Sequence, residues 1–184
     1  MTTIAYDGVV LAADGSAFIA NLQQPIIKHR KLVLANLADV AKQRMGLSRL
    51  PADATLCYAF CGDVEKINEV LSWMHYGTDR PRLDDNTADF GLIVMQGTGR
   101  VWILLPNLTT YETMAPVASG SGMRYAMGAL HAGVSAVDCI KQSIVHTANA
   151  GVGVVTWDSL TDELTSAHPT LKAMIDTQRL NHGV

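Results

Sequence analysis

The chain has 184 residues, 48% of them hydrophobic and 17% charged, and carries a formal net charge of −3. That length suits one domain over residues 1–184 that can bury about 68–70% of its unfolded surface, and the apolar share excludes a disordered linker or a charged tail. The slight acidity gives no electrostatic basis for nucleic-acid or anionic-membrane binding, while the apolar surplus fits an oligomer with apolar subunit contacts.

In chain order, Thr2 to Tyr6 and Val9-Val10-Leu11-Ala12-Ala13 read as two short strands around an Asp7-Gly8 turn, and Asp14-Gly15 ends the second. Residues 16 to 30 look irregular, since Asn21, Gln23, Gln24 and Pro25 break any period. Lys31-Leu32-Val33-Leu34-Ala35 reads as a short strand, and the more polar stretch from Asp39 to Asp53 as a surface excursion, partly helical. Thr55 to Phe60 is strand-like and is closed by Gly62. From Asp63 the pattern becomes helical, with Val64, Ile67, Val70, Leu71 and Met74 at three- and four-residue spacing. Phe90 to Met95 and Val101 to Leu105 form a hairpin through Gly97-Thr98-Gly99, and Thr109 to Met114 adds a further strand.

Two helices follow. The first begins near Ser121 and stops at Gly133; the second opens on Ser135-Ala136-Val137-Asp138, which has a capping-box pattern. Val152 to Trp157 is a final buried strand, and the tail from Pro169 is weakly patterned. Runs of strands separated by clusters of helices predict an α+β layer fold. Two sheets stacked face to face with helices outside would explain why the strands read as continuous apolar runs.

Three cysteines (Cys57, Cys61, Cys139) lack zinc-site spacing and read as buried, reduced thiols. The six histidines are scattered, with no i, i+4 pair around a glutamate, so no metal centre is expected. Gly120-Ser121-Gly122 has the glycine content of a phosphate-cradling loop, but no P-loop Lys-Ser/Thr follows and the dinucleotide spacing fails. No cofactor is called for. The segment Met1 to Asp7 lacks the basic and apolar regions of a secretory signal, and no stretch nears the ~18 apolar residues of a spanning helix. A cytoplasmic protein with no membrane association is therefore the expectation.

The most informative position is Thr2. Removal of Met1 would leave a residue bearing both a hydroxyl and a free α-amine, whose reference pKa of about 7.7–8.0 makes it available as a base near neutrality. A hydroxyl needs such a base to become a nucleophile. One residue could supply both.

Thr2-Thr3-Ile4-Ala5 followed by Asp7 to Asp14 resembles the opening of proteasome β-type subunits and of the bacterial HslV peptidase. The resemblance continues at Arg30-Lys31-Leu32, at Ala59-Phe60-Cys61-Gly62-Asp63, and at Ser119-Gly120-Ser121-Gly122, in the same order along the chain. It implies the four-layer αββα sandwich of the N-terminal nucleophile hydrolases and a threonine-type endopeptidase with Thr2 as nucleophile. Asp14 would orient Lys31, whose ammonium would favour the deprotonated Thr2 amine and hydroxyl. Ser121 would hydrogen-bond that amine or a bridging water. The backbone N–H of Ala59 would hold the oxyanion, a role indifferent to side chain. Thr3 and Gly122 would support the site.

The resemblance also implies a self-assembled, stacked double ring enclosing the sites, unfolded polypeptide as substrate, and an ATPase unfoldase as partner. The chain departs from the family in a longer stretch between Lys31 and Ala59, placing an insertion around Asp39 to Asp53. Lys28 competes with Lys31 for the basic role, although the apolar residues after Lys31 favour the latter. Before the final strand, His146-Thr147-Ala148-Asn149-Ala150-Gly151 has no carboxylate, which points to the HslV-like bacterial branch. Two other readings remain open: a catalytically silent ring or scaffold, and an amidase acting on a small molecule.

Overall fold

The computed structural model describes residues 3–14, 17–19, 22–26, 32–34, 39–50, 54, 56–62, 64–83, 91–146, 153–161 and 163–166. Its strands are β1 (Thr3–Tyr6), β2 (Val10–Asp14), β3 (Ala17–Ile19), β4 (Leu22–Ile26), β5 (Leu32–Leu34), β6 (Leu56–Phe60), β7 (Gly91–Met95), β8 (Arg100–Leu104), β9 (Thr110–Met114), β10 (Val117–Gly120), β11 (Val154–Asp158) and β12 (Glu163–Ser166). The helices are α1 (Asp39–Arg44), α2 (Val64–Tyr76), α3 (Met123–His131) and α4 (Ala136–His146).

Two five-stranded sheets dominate. One has the order β10-β1-β2-β11-β12 and so joins the first two described strands to the last two; the other has the order β5-β6-β7-β8-β9. Every adjacent pair is antiparallel.

Strand alternation sorts side chains into three apolar layers. Between the sheets, Ile4, Tyr6, Leu11 and Ala13 of the first meet Cys57, Ala59, Leu92 and Val94 of the second. On its outer face the first sheet presents Ala5, Ala12 and Ala118 to Ala126 and Leu130 of α3 and Ile140 of α4. These small residues let the helices lie close to the strands. The second sheet does the reverse: its outer face carries Tyr58, Phe60, Ile93 and Trp102 against Val70, Trp73 and Met74 of α2. The result is a four-layer α+β sandwich, helices–sheet–sheet–helices. Strands β1, β2, β6 and β7 are buried on both faces, which is why they read as unbroken apolar runs.

Three details differ from the sequence expectation. Residues 17–19 and 22–26, expected to be irregular, form the separate two-stranded ladder β3–β4. Pro25 sits opposite Phe18 there, in a two-stranded ribbon where a missing N–H is tolerated. The excursion from Asp39 is helical in α1, but Ala41, Met45 and Leu47 are buried in the outer core beside α2, while Val40, Gln43 and Arg44 face outward. Strands β10 and β12 were not expected: Val117–Gly120 is too short to show a period, although all four of its residues are buried. Half of the expected capping box at α4 forms: the Asp138 N–H donates to Ser135 Oγ at 3.2 Å, and the Asp138 carboxylate accepts from the Ser135 hydroxyl at 2.9 Å.

Candidate active site

Strand β1 lies inside its sheet, next to the edge strand β10 on one side and β2 on the other. Ile4 pairs with Ala13, which brings Thr3 beside Asp14 at the end of the hairpin. There the Thr3 N–H donates to Asp14 Oδ1 at 3.2 Å. Asp14 is 1% and Thr3 3% exposed, so the carboxylate is held out of water against the main chain at the start of β1. Burying such a group is costly unless hydrogen bonds compensate it, and this amide is one such bond.

On the other side Thr3 pairs with Gly120, whose φ of +90° turns the chain out of β10. Gly120 takes this left-handed conformation at little cost, having no side chain. The turn carries exposed Ser121 and then buried Gly122, which accepts the first helical bond of α3 from Ala126 at 3.1 Å. Gly122 lies directly on Thr3: a Cβ there would come 2.1 Å from Thr3 Oγ1. The β10–α3 turn is therefore folded onto the residue that follows Thr2.

Ala59 lies in β6, fully buried, in register with Leu32 of β5 and Leu92 of β7. Beyond it the chain leaves the sheet through Cys61 and Gly62, the latter at φ +128°, and enters α2. Cys61 Sγ lies 3.4 Å from Ser119 Oγ, a buried polar contact that joins the end of β6 to β10 across the space between the sheets.

Of the residues singled out in the sequence, the structure brings Thr3, Asp14 and Gly122 together at one end of the first sheet, with Ser121 in the adjoining turn. Ala59 belongs to the facing sheet, which meets the first through the inter-sheet core. Thr2, Lys31 and Lys28 lie outside the described residues, as do residues 147–152, Asn149 among them. Lys31 directly precedes β5, whose first residue is the register partner of Ala59.

Sequence reasoning read Asp7 only as a turn residue. Its Oδ1 accepts from the N–H groups of Val9 at 3.0 Å and Val10 at 2.8 Å, and its Oδ2 from Ala136 N at 2.9 Å. One carboxylate thus closes the β1–β2 turn and caps α4, where the helix dipole favours negative charge. The Asp-Gly pair signalled the turn, but the partner 129 residues away left no mark in the sequence. Tyr6 adds to this end of the hairpin, donating to the Gly8 carbonyl at 2.8 Å and lying 3.3 Å from Ser159 Oγ. Burial is the main cause of its raised hydroxyl pKa.

The cysteines are free and buried, as expected. Burial pushes the Cys139 thiol upward and the Asp138 and Asp7 charges add to it, so it stays protonated and a poor nucleophile. Among the described residues no group of three His, Cys, Asp or Glu is placed to hold a metal ion, and no helix is long and apolar enough to cross a membrane.

No protein-family model matches the sequence, and no curated protein matches it either. Solved structures do. Anbu (ancestral beta-subunit) from Yersinia bercovieri is similar with a TM-score of 0.61 at 13% identity, over 100% of this chain and 94% of that one. Anbu from Hyphomicrobium sp. strain MC1 follows with 0.57 at 15% identity, over 100% and 97%. BPH from Thiobacillus denitrificans gives 0.51 at 15% identity, over 91% and 98%. At such identities the likeness is one of fold, and these structures share the four-layer α+β sandwich described above.

Proposed function

We propose that the chain is a threonine peptidase of the N-terminal nucleophile type, acting on unfolded polypeptide inside a ring of its own copies. The observation that carries this reading is the buried Asp14 carboxylate bonded to the Thr3 amide, with Gly122 packed on Thr3. Together they anchor the chain one residue after the candidate nucleophile, as a positioned hydroxyl requires.

In this mechanism Met1 is removed and the freed Thr2 α-amine accepts the proton of its own hydroxyl. The alkoxide oxygen attacks the peptide carbonyl, and the Ala59 N–H donates to the oxyanion. Collapse breaks the C–N bond, the ammonium returns its proton to the departing amine, and an ester to Thr2 remains. Water, deprotonated by the same amine, attacks the ester and releases the acid. Lys31, oriented by Asp14, lowers the proton affinity of the amine and hydroxyl, and Ser121 fixes the amine or a bridging water. The carboxylate-free sequence before β11 supports the HslV-like branch, and an ATPase unfoldase would deliver substrate.

Intact-mass analysis of the first residue, combined with labelling by an epoxyketone probe, tests the reading. Such a probe needs hydroxyl and amine on one residue. Expected are loss of Met1, labelling of Thr2, and turnover of fluorogenic peptides that Thr2→Ala abolishes. Retained Met1 with no labelling would instead identify a silent ring, and turnover confined to small amides would identify an amidase.

A further inference from the structure

The space between the two sheets is filled almost entirely by carbon: Ile4, Tyr6, Leu11, Ala13, Leu92, Val94 and Trp157 line it. Against that background the buried pair Cys61 Sγ and Ser119 Oγ, 3.4 Å apart, is a directional contact that runs from one sheet to the other. Cys61 is 3% and Ser119 5% exposed. Their positions in the chain give the contact its meaning. Ser119 pairs with Ile4 and immediately precedes Gly120, the register partner of Thr3. Cys61 lies two residues beyond Ala59, on the same inward-facing side of its strand.

We propose that Ser119 is a positioning residue whose bond to Cys61 sets the distance between the strand that carries the nucleophile and the strand that carries the oxyanion donor. The inference rests on the threonine-peptidase reading. Apolar packing resists separation of the sheets but is non-directional, so it leaves sliding of one sheet over the other weakly opposed. A hydrogen bond weakens steeply once its geometry is lost, and therefore opposes the slide. Neither group touches substrate in this scheme. The pair acts by keeping the Ala59 N–H at the distance an oxyanion formed on Thr2 requires, and donors of this kind work only within a narrow range.

The test uses the full chain with Met1 removed, as verified by mass, and a fluorogenic peptide. Ser119→Ala and Cys61→Ala should each lower kcat about tenfold or more with little change in KM, because the transition state loses alignment while ground-state binding is kept. The double variant should lose no more than either single one, since both remove the same bond. Cys61→Ser, which restores a hydrogen-bonding group, should recover most of the rate. A purely structural role would lower melting temperature without this kcat-against-KM split and without the rescue. Should Ser119→Ala fail to melt cooperatively, Cys61→Ala carries the test from the other side of the bond. An unchanged kcat in Ser119→Ala, or losses that multiply in the double variant, overturns the inference while leaving an active wild type. A wild type that neither turns over peptide nor takes the epoxyketone probe overturns the peptidase reading and this inference with it.

Discussion

Gly122 lies so close to Thr3 that an added Cβ would come 2.1 Å from the threonine Oγ1 and 3.0 Å from its Cγ2, far inside van der Waals contact. Its φ of −89° is open to any residue, so what position 122 demands is space and not torsional freedom. Two glycines of one motif thus serve different ends, since Gly120 holds φ +90°. Gly122→Ala is expected to push Thr3 away from Asp14 and cost about 1–3 kcal/mol, the usual range for overpacking. Urea unfolding measures that cost. If the peptidase reading is right, peptide turnover should fall by more than the change in folded fraction, because the displaced residue adjoins the nucleophile. Turnover that tracks folded fraction alone would separate Gly122 from the chemistry.

The elements are tied together by a few polar contacts at their ends, and these make measurable claims. Asp7→Asn keeps an acceptor for the turn amides but places an amide nitrogen or a single shared oxygen where Oδ2 now meets the α4 N–H of buried Ala136. An unsatisfied buried amide costs about 1–3 kcal/mol, so Asp7→Asn should lower unfolding stability by that order with an unchanged denaturant slope. A changed slope would mean a different kind of disruption. At the other side of the same cap, the Lys141 ammonium and then the Ser135 hydroxyl hold the Asp138 carboxyl below its ordinary pKa. A depressed folded-state pKa contributes stability that is present above the unfolded value and lost as pH falls through the folded one. Asp138→Asn should therefore lower the melting temperature at pH 7, and the gap to the parent should shrink steadily as pH falls below the ordinary carboxylate value and through the depressed folded one. A gap that persists there would assign the effect to something other than this charge. Where contacts are local, as in this Ser135–Asp138 box or the Asp7-Gly8 turn, the sequence displayed them directly. Strands β3, β4, β10 and β12 were missed because three to five residues leave no clear period, and β10 takes its identity from a partner far along the chain.

At the scale of the molecule the layering was legible, since strands apolar on both faces require two sheets covered by helices on their outer sides. The site was legible only through its motif residues. Asp14 and Gly122 each contact Thr3, but the Asp7 cap and the Cys61–Ser119 contact depend on pairs 129 and 58 residues apart. Assembly is the remaining property at this scale. A peptidase that degraded any accessible chain would be hazardous to its surroundings, and enclosure of the site within a ring is the physical remedy the proposal relies on. Stable subunit contacts bury about 1,200–2,000 Å² or more in total, which an apolar composition of 48% can supply without a basic or acidic field. Light scattering coupled to size exclusion is expected to give one symmetric oligomer at micromolar concentration, equally for the wild type and for Thr2→Ala, because assembly does not use the nucleophile. Salt should disturb it little, since a net charge of −3 leaves little repulsion to screen. A monomer under these conditions would leave the fold and the chemistry standing but remove the chamber, and with it the preference for unfolded chains over any exposed peptide.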